Sequence, residues 1–279
     1  MKKVKSVVER FPLSLSHKRI YTPMTEQISK AKISLVASLA QRKMRRRHSL
    51  FVAEGAKCVA DTLGYFRLRF AVATPSAIES GLADDIPSDF LFSASPEVMS
   101  KMSSLSTAPD VMAIYELPSD AEAPAPEKDR ISLVLDGVQD PGNLGTIVRA
   151  AHWFGIKRIY CSPDTVDLFN PKTLMATMGS IGHLEIFYCD IISLLRDVSG
   201  KIPIYGTLLS GEDIYSAPLS SGGLIVMGNE GKGMSEEAKQ YISSALTIPP
   251  GDPSDHAESL NVGVATAVVL SQFRAKYPL

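Results

Sequence analysis

The chain has 279 residues, of which 45% are hydrophobic and 21% charged, and its formal net charge is -1. These values are typical of a globular protein with one large domain or two modest ones. No run approaches the roughly 18 uninterrupted apolar residues of a membrane span, and the basic N-terminus lacks the apolar segment of a signal peptide. The three cysteines, Cys58, Cys161 and Cys189, form no CxxC pair. They indicate reduced thiols in a cytoplasmic protein, with no zinc site.

Positive charge is concentrated near the N-terminus. Residues 1–52 contain 13 Lys and Arg against two acidic residues, whereas residues 53–279 contain 16 against 28. The densest basic run, residues 42–48, could be a solvated helix end, since cations are favourable at a helix C-terminus. Its cations repel one another, however, and such a run favours contact with a polyanion. The residues predicted to bind nucleic acid are Arg42, Lys43, Arg45, Arg46 and Arg47.

The first half of the chain predicts a small α/β domain over residues 21–118. Residues 1–20 are predicted to form a flexible tail, and residues 25–41 a helix capped by Thr25, because apolar residues recur there at helical spacing. Elements then alternate, with strands at 50–53, 69–74, 90–94 and 111–117 and helices near 56–63, 75–82 and 96–104. Residues 119–129, rich in Ala, Pro and acidic residues, predict a stiff, extended linker.

The alternation restarts after the linker and predicts a second domain over residues 130–279. Strands are predicted at 131–136, 157–161, 184–188, 203–207, 223–228 and 244–248, and helices near 144–154, 171–178, 190–198, 235–243 and 259–275. Such an order is typical of a mostly parallel sheet covered by helices on both faces.

The segment DPGNLGTIVRAA, residues 140–151, follows an apolar strand and opens a helix. Asn143 is predicted to cap this helix. Arg149 falls off the buried stripe, at a place that suits a phosphate or a polarised oxygen, although a structural salt bridge is the alternative. Neither a GKS/T nor a GxGxxG motif occurs, so neither NTP hydrolysis nor a standard NAD site has its motif.

A second segment, LIVMGNEGKG at 224–233, again joins an apolar strand to a turn rich in glycine. The turn carries Asn229 and Glu230. It fits a loop whose backbone passes close to a ligand, and a plain hairpin or solvated loop is the alternative.

A third segment consists of IPPG at 248–251 and SLNVGVA at 259–265. Ser259 is predicted to cap the last helix, whose apolar residues lie nearly all round and predict burial against the body or a second subunit. Asn261 in the first turn needs a polar partner, unless it is only a first-turn residue.

Together these segments resemble the motifs of the SpoU (TrmH-like) branch of the SPOUT RNA 2'-O-ribose methyltransferases, over about residues 130–276. The region before the linker resembles that family's substrate-binding domain, which has a ribosomal-protein-L30-like α/β fold, through residues 45–55. The resemblance implies a trefoil knot in the C-terminal sheet, S-adenosylmethionine as cofactor, and a homodimer that buries the last helix. The family usually has Met where Pro250 stands and Ser where Gly263 stands, and the loop at 251–258 is long and acidic.

The resemblance also implies roles for particular residues. The catalytic positions that match are Asn143, Arg149, Glu230, Ser259 and Asn261. The cofactor would be held mainly by backbone groups around Thr207, Gly228, Ile248, Ser259 and Leu260. A ribose 2'-OH is a weak acid that must be activated, and the resemblance gives Arg149 the tasks of binding the adjoining phosphate and helping that activation. No metal is required, since methyl transfer depends on positioning.

The sequence thus predicts a cytoplasmic, homodimeric RNA 2'-O-ribose methyltransferase. Ribosomal RNA is favoured over tRNA because of the additional N-terminal domain, and tRNA stays an alternative. A second alternative is an RNA-binding protein with a knotted domain that no longer methylates, although all five catalytic positions are present. A third is a Rossmann-type nucleotide-binding enzyme, which would lack its phosphate fingerprint.

Overall fold

The structure, a computed structural model, describes residues 25–277 together with one short strand at Val4–Lys5. Most of the predicted tail at 1–20 therefore lies outside the described residues. The chain divides into two compact units. The N-terminal unit contains residues 25–118 and the segment 169–182, and the C-terminal unit contains 119–168 and 183–277 together with the short strand.

Helices and strands alternate along most of the chain. In chain order they are β1 (Val4–Lys5), α1 (Lys30–Ser38), α2 (Arg42–His48), β2 (Leu50–Glu54), α3 (Ala56–Thr62), β3 (Leu68–Ala73), α4 (Pro75–Glu79), a 3-10 turn (Ser88–Phe90), β4 (Leu91–Ser93), α5 (Pro96–Met102), β5 (Val111–Glu116), β6 (Asp120–Ala121), β7 (Ile131–Leu135), α6 (Pro141–Trp153), β8 (Arg158–Cys161), α7 (Pro171–Thr177), a 3-10 turn (Ser180–His183), β9 (Glu185–Tyr188), α8 (Ile191–Val198), β10 (Ile204–Asp213), β11 (Gly223–Met227), α9 (Glu236–Lys239), β12 (Ser244–Thr247) and α10 (Val262–Lys276).

The predicted order of elements is largely recovered, with differences at their ends. The predicted cap at Thr25 is wrong: α1 begins only after Ser29, whose hydroxyl accepts a hydrogen bond from the Lys32 N–H at 3.4 Å. The helix predicted at 235–243 is reduced to α9, and β10 continues well beyond the predicted end at 207.

The N-terminal unit is built on a four-stranded sheet in the order β2-β5-β3-β4. Only the β3–β4 pair is parallel. One face of this sheet packs against α1 and α5 through a cluster that includes Val36, Met99 and Val52. Because side chains alternate along a strand, Phe51 points to the other face, and both faces are therefore covered.

An aromatic cluster fills that second face. Phe51, Phe66 and Tyr115 form it together with Phe169, whose ring centroid lies 4.6 Å from that of Phe51. Phe169 is only 3% exposed. The segment 169–182, which the sequence placed among the elements of the C-terminal sheet, thus supplies part of the N-terminal core.

The C-terminal unit contains a six-stranded, fully parallel sheet in the order β12-β10-β11-β7-β8-β9. Residues of α8 and α9 pack on one face with Ile204 of β10. The neighbouring Tyr205 faces the opposite side, where its ring lies 5.0 Å from that of Phe273 in α10. The predicted α/β class, with a parallel sheet covered on both faces and a smaller N-terminal α/β unit, is confirmed. None of the helices within residues 25–277 combines the length and apolar character needed to cross a bilayer.

The segment predicted as a linker is extended and bound to the C-terminal unit. The Tyr160 hydroxyl donates to the Pro124 carbonyl at 2.9 Å, and Arg158 forms ion pairs with Glu127 and Glu185. Burial raises the pKa of Tyr160 to about 12. These contacts fix the path of the segment, so it is not a free spacer. The domain limits at 21–118, 119–129 and 130–279 stay a prediction.

Candidate functional site

The three sequence motifs meet at one edge of the C-terminal sheet. Parallel strands place their carboxyl ends at the same edge, where ligands of open α/β sheets commonly bind. The first motif follows β7, the second follows β11, and the third follows β12. β11 pairs directly with β7, and β10 lies between β11 and β12. The sheet order therefore brings together segments that are distant in sequence.

Asp140 caps the helix that carries the first motif. Its carboxylate accepts a hydrogen bond from the Asn143 N–H at 2.8 Å, and Pro141 takes the first helical position. The prediction that Asn143 is the cap is wrong, because the helix begins after Asp140, which binds the Asn143 N–H. The Asn143 side chain is consequently available for other partners. The predicted buried stripe of α6 is confirmed, with members Leu144, Ile147, Val148 and Ala151.

Side chains from all three motifs form one hydrogen-bonded chain. The Asn143 amide group donates to the Glu230 carboxylate at 3.0 Å. The Asn261 amide group donates to the Asn143 side-chain carbonyl at 2.8 Å. The Glu230 carboxylate also accepts from the backbone N–H groups of Gln139 and Asp140, at 3.3 and 3.4 Å. We call Glu230, Asn143 and Asn261 the amide relay.

Asn261 has a second function as the cap of α10. Its side-chain carbonyl accepts from the N–H groups of Gly263 and Val264, at 2.9 and 3.2 Å. The prediction that Ser259 caps this helix is wrong, because the helix begins after Asn261. These two capping hydrogen bonds fix the orientation of the Asn261 amide. Its carbonyl faces the helix, so its NH2 group must face Asn143.

Gly263 is required where α10 approaches α6. A Cβ atom at this position would lie 2.9 Å from the Thr146 side chain. The family's usual Ser would therefore require the Thr146 side chain to shift in this chain. The departure at Gly263 agrees with a close contact that keeps Asn261 within reach of Asn143.

Two predicted catalytic residues lie outside the amide relay. Arg149 is exposed on α6, and within the described residues it forms neither a hydrogen bond nor an ion pair. Ser259 lies in an exposed segment at 251–261. The structure thus brings together Asn143, Glu230 and Asn261 but joins neither Arg149 nor Ser259 to them by a hydrogen bond.

Three of the residues predicted to bind the cofactor lie on, or directly after, three adjacent strands. Thr207 lies in β10, Gly228 follows β11 and Ile248 follows β12. The Thr207 hydroxyl donates to the Val226 carbonyl at 3.1 Å. A Cβ atom at Gly228 would lie 2.4 Å from the Met234 backbone nitrogen, so no larger residue fits. All three residues are half-buried and lie on the side of the sheet where the motifs meet.

The remaining two predicted cofactor residues, Ser259 and Leu260, lie further along the chain from β12. Both are exposed, and Leu260 retains 51% of its accessible surface. Leu260 therefore offers exposed apolar surface to a ligand.

The predicted nucleic-acid-binding residues separate into two groups. Arg45 is only 2% exposed, and its guanidinium donates to the carbonyls of Leu39 and Ala40, both at 2.8 Å. Its assignment as an RNA contact is wrong, because the charge is used to satisfy carbonyls at the end of α1. The other four, Arg42, Lys43, Arg46 and Arg47, are exposed. The name exposed α2 cations is used below for Lys43, Arg46 and Arg47.

No metal-binding cluster is found among the described residues. Burial raises the pKa of both Cys58 and Cys189 to about 11, and Cys161 is fully enclosed. Such thiols stay protonated and are poor ligands and nucleophiles.

Sequence reasoning missed the structural importance of Asp140 and Asn229. Asp before Pro at a helix start is a recognised capping pattern and could have identified Asp140. Asn229 binds the backbone of the first motif through its side chain, donating to the Gly137 carbonyl at 2.6 Å. Nothing in the local sequence predicts that contact, since it depends on the pairing of β11 with β7.

Comparisons with known proteins agree with this geometry. Residues 130–271 match the SpoU rRNA Methylase family, and residues 30–113 match the MRM3-like substrate binding domain. A 23S rRNA (guanosine(2553)-2'-O)-methyltransferase, RlmP, from Bacillus subtilis is 29% identical and covers 89% of this chain and 99% of its own. Two solved structures are similar over nearly their whole length. A TrmH-family protein from Porphyromonas gingivalis is 34% identical with a TM-score of 0.79, covering 90% of this chain and 99% of its own. An AdoMet-bound rRNA methyltransferase from Sinorhizobium meliloti is 26% identical with a TM-score of 0.76, covering 91% and 98%. The chain belongs to the SpoU rRNA methylase family.

Proposed function

We propose that this protein transfers a methyl group to a ribose 2'-OH of ribosomal RNA. The observation that carries the proposal is the amide relay, which joins all three motifs at the carboxyl edge of the sheet. Membership of the SpoU family supports the reaction type, and the RlmP relative, named for 23S rRNA, supports ribosomal over transfer RNA. The Rossmann-type alternative has no support, since the match to the SpoU family covers residues 130–271, which contain the whole parallel sheet.

S-adenosylmethionine supplies the methyl group when it is bound. The ends of β10, β11 and β12 would hold it, through backbone groups near Thr207, Gly228 and Ile248, with Ser259 and Leu260 contributing from the third motif. The close packing of Gly228 against the Gly233–Met234 backbone fixes the shape of the loop that would hold it. An AdoMet-bound relative of the same fold supports it further.

Arg149 is assigned the RNA phosphate beside the target ribose. Its guanidinium keeps its proton in proteins and has no partner among the described residues, so it is free to pair with an anion. A positive charge near the hydroxyl also favours the ionised form of that hydroxyl, which is the better nucleophile. Arg149 thus binds the phosphate and favours loss of the hydroxyl proton, which passes to solvent as the methyl group is transferred.

The amide relay is assigned a positioning role. Glu230 receives three hydrogen bonds from the first motif, so its carboxylate holds the start of α6 in place. Asn261 links that arrangement to α10 and to the preceding segment with Ser259. Positioning of this kind supplies much of the rate in a displacement reaction, where donor and acceptor must lie in line.

RNA affinity is assigned to the N-terminal unit. Its match to a substrate binding domain and the exposed α2 cations support this division of tasks. The cations follow one another on a single short helix, α2, and the C-terminal half of the chain is acidic. A polyanion would therefore be attracted to the first half more than to the second.

A homodimer is the assembly we expect. Val264 is 49% exposed on α10, and with Ala267, Val268 and Thr146 of α6 it lines an apolar groove. Exposed apolar surface of this kind commonly marks a protein interface. Light scattering should give twice the chain mass, and Val264→Asp should give the monomer. The knot and the cytoplasmic location stay predictions.

The function can be tested by mapping 2'-O-methyl groups in RNA from a strain that lacks the gene. We expect one ribosomal position to lose its methyl group and to regain it when the wild-type gene, but not Arg149→Ala, is restored. Loss at a tRNA position instead would move the substrate to tRNA. Unchanged methylation of both RNAs would contradict the proposal and support the non-catalytic alternative.

A further inference from the structure

Asn229 lies next to Glu230 and connects the same two segments. Its side-chain NH2 group donates to the Gly137 carbonyl at 2.6 Å, and Gly137 belongs to the connection between β7 and α6. Its side-chain carbonyl accepts from the N–H groups of Gly231 and Lys232, both at 2.9 Å. One half-buried amide therefore holds its own turn closed and ties that turn to the first motif.

The turn that Asn229 closes is short and fixed at both ends. Asn229 and Gly233 exchange two backbone hydrogen bonds, at 2.9 and 3.0 Å. Glu230 is the first residue inside this closed turn. Because the turn cannot rotate independently of Asn229, the direction of the Glu230 side chain depends on the Asn229 contacts.

The partners of Glu230 lie in the segment that Asn229 binds and in the first turn of α6 that follows it. They are the N–H groups of Gln139 and Asp140 and the amide of Asn143. The two backbone contacts, at 3.3 and 3.4 Å, are long for hydrogen bonds. The Asn229–Gly137 contact, at 2.6 Å, is thus shorter than either backbone contact of Glu230 and adds a separate link between the two segments.

We propose that Asn229 is a positioning residue for methyl transfer, which sets Glu230 against Asn143 by joining the second motif to the first. This inference rests on the proposed function, and it assigns to Asn229 no contact with RNA or cofactor. Its effect passes through Glu230 and the rest of the amide relay.

Asn229→Asp is the sharpest variant, because it changes one atom of the side chain. The carboxylate keeps an acceptor for Gly231 and Lys232, but it loses the donor and places a negative oxygen against the Gly137 carbonyl. The turn should stay closed while its link to the first motif breaks. Asn170→Asp is a matched control: Asn170 uses its side-chain carbonyl to accept from the Lys172 N–H at 2.9 Å, which Asp can also do.

We expect Asn229→Asp to lower kcat between about tenfold and about a hundredfold, since a displacement near 1 Å can have effects of that size. The KM for S-adenosylmethionine should change little, and Asn170→Asp should leave kcat unchanged. The double variant Asn229→Asp/Glu230→Ala should be no slower than Glu230→Ala alone, because Glu230→Ala already removes the contacts through which Asn229 acts. If Asn229→Asp only damaged the structure, the two losses in kcat would multiply in the double variant, and that result would overturn the proposal. A kcat of Asn229→Asp within twofold of wild type would overturn it as well.

Two further measurements make the test independent of folding failure and of the proposed function. If Asn229→Asp does not fold, Asn229→Ser is taken through the same cycle with the same criteria. The side-chain amide NMR signal of Asn143 reports its bond to Glu230 without any turnover. It should shift in Asn229→Asp in the direction seen in Glu230→Ala, which has no acceptor for the amide. An unmoved signal contradicts the inference even if the enzyme proves active, and a shifted signal supports it even if the methylation substrate is wrong.

Discussion

Arg45 should stabilise the N-terminal unit, whereas its neighbours in α2 should not. Its guanidinium is enclosed and donates two hydrogen bonds of 2.8 Å to the carbonyls of Leu39 and Ala40. A hydrogen bond from a charged group contributes about 1.5–3 kcal/mol, and an unpaired buried carbonyl adds a desolvation cost. Arg45→Met keeps most of the aliphatic volume but removes both bonds. We therefore expect a loss of about 3–5 kcal/mol in the free energy of unfolding.

Scanning calorimetry is the suitable assay, because the single tryptophan, Trp153, lies in the C-terminal unit and does not report on α2. For a unit of this size, about 3 kcal/mol lowers the midpoint by roughly 10 °C or more. Arg46→Met, at an exposed position of the same helix, should change the free energy by no more than about 0.5 kcal/mol. The reasoning is refuted if both variants melt like the wild type, or if Arg45→Met weakens RNA binding without lowering the midpoint.

The other predictions concern RNA binding, catalysis, metals and the aromatic cluster. Changing the exposed α2 cations to Gln should flatten the salt dependence of RNA binding, by about 0.7–0.9 in the log–log slope per lost contact. S-adenosylmethionine binding, measured by calorimetry, should not change. An unaltered slope would show that α2 is only a solvated helix. Arg149→Ala should abolish methyl transfer with little change in melting midpoint or cofactor affinity, because the residue is exposed and outside the buried stripe of α6; wild-type turnover would remove its assigned role. Activity should survive EDTA, since in-line methyl transfer needs no Lewis acid, and restoration of a chelated enzyme by zinc would contradict this. Phe169→Ala should lower the free energy of unfolding of the N-terminal unit by about 3–5 kcal/mol. Phe90→Ala, at a position 40% exposed, should lower it far less. Equal melting midpoints of the two variants would show that the aromatic cluster does not depend on segment 169–182.

The sequence identified the motifs well because each motif is local. A strand of apolar residues followed by a polar turn is visible in the chain, and the parallel sheet then guarantees that such turns share an edge. The presence of Asn143, Glu230 and Asn261 in one place could therefore be predicted. Their mutual hydrogen bonds could not, because the distances depend on how closely α6 and α10 approach at Gly263.

Errors arose where one residue type has two common uses. Asn143 and Ser259 are both good caps, and only the true helix starts, after Asp140 and after Asn261, decide against them. Arg45 belongs to the same basic run as its neighbours, but its side chain is buried and its guanidinium binds the Leu39 carbonyl after the end of α1. Composition describes the run as a whole, whereas burial is decided separately for each side chain.

The position of segment 169–182 was also beyond local reasoning. The helix at 171–177 was recognised, yet the sequence offers no signal that Phe169 completes an aromatic cluster with Phe51 and Phe66. That contact joins residues more than a hundred positions apart, and such pairings follow from the whole fold. Periodicity identifies a helix but not its neighbours.

Ribose methylation can be tested directly with the purified protein. The protein is incubated with S-adenosylmethionine, labelled in its methyl group, and with ribosomal RNA from a strain that lacks the gene, and the RNA is then digested to nucleosides for mass spectrometry. We predict a single labelled product, a 2'-O-methylnucleoside, formed by the wild type and absent with Arg149→Ala. Label on a base, or equal labelling by the variant, would contradict the central claim that this edge of the sheet activates a ribose hydroxyl.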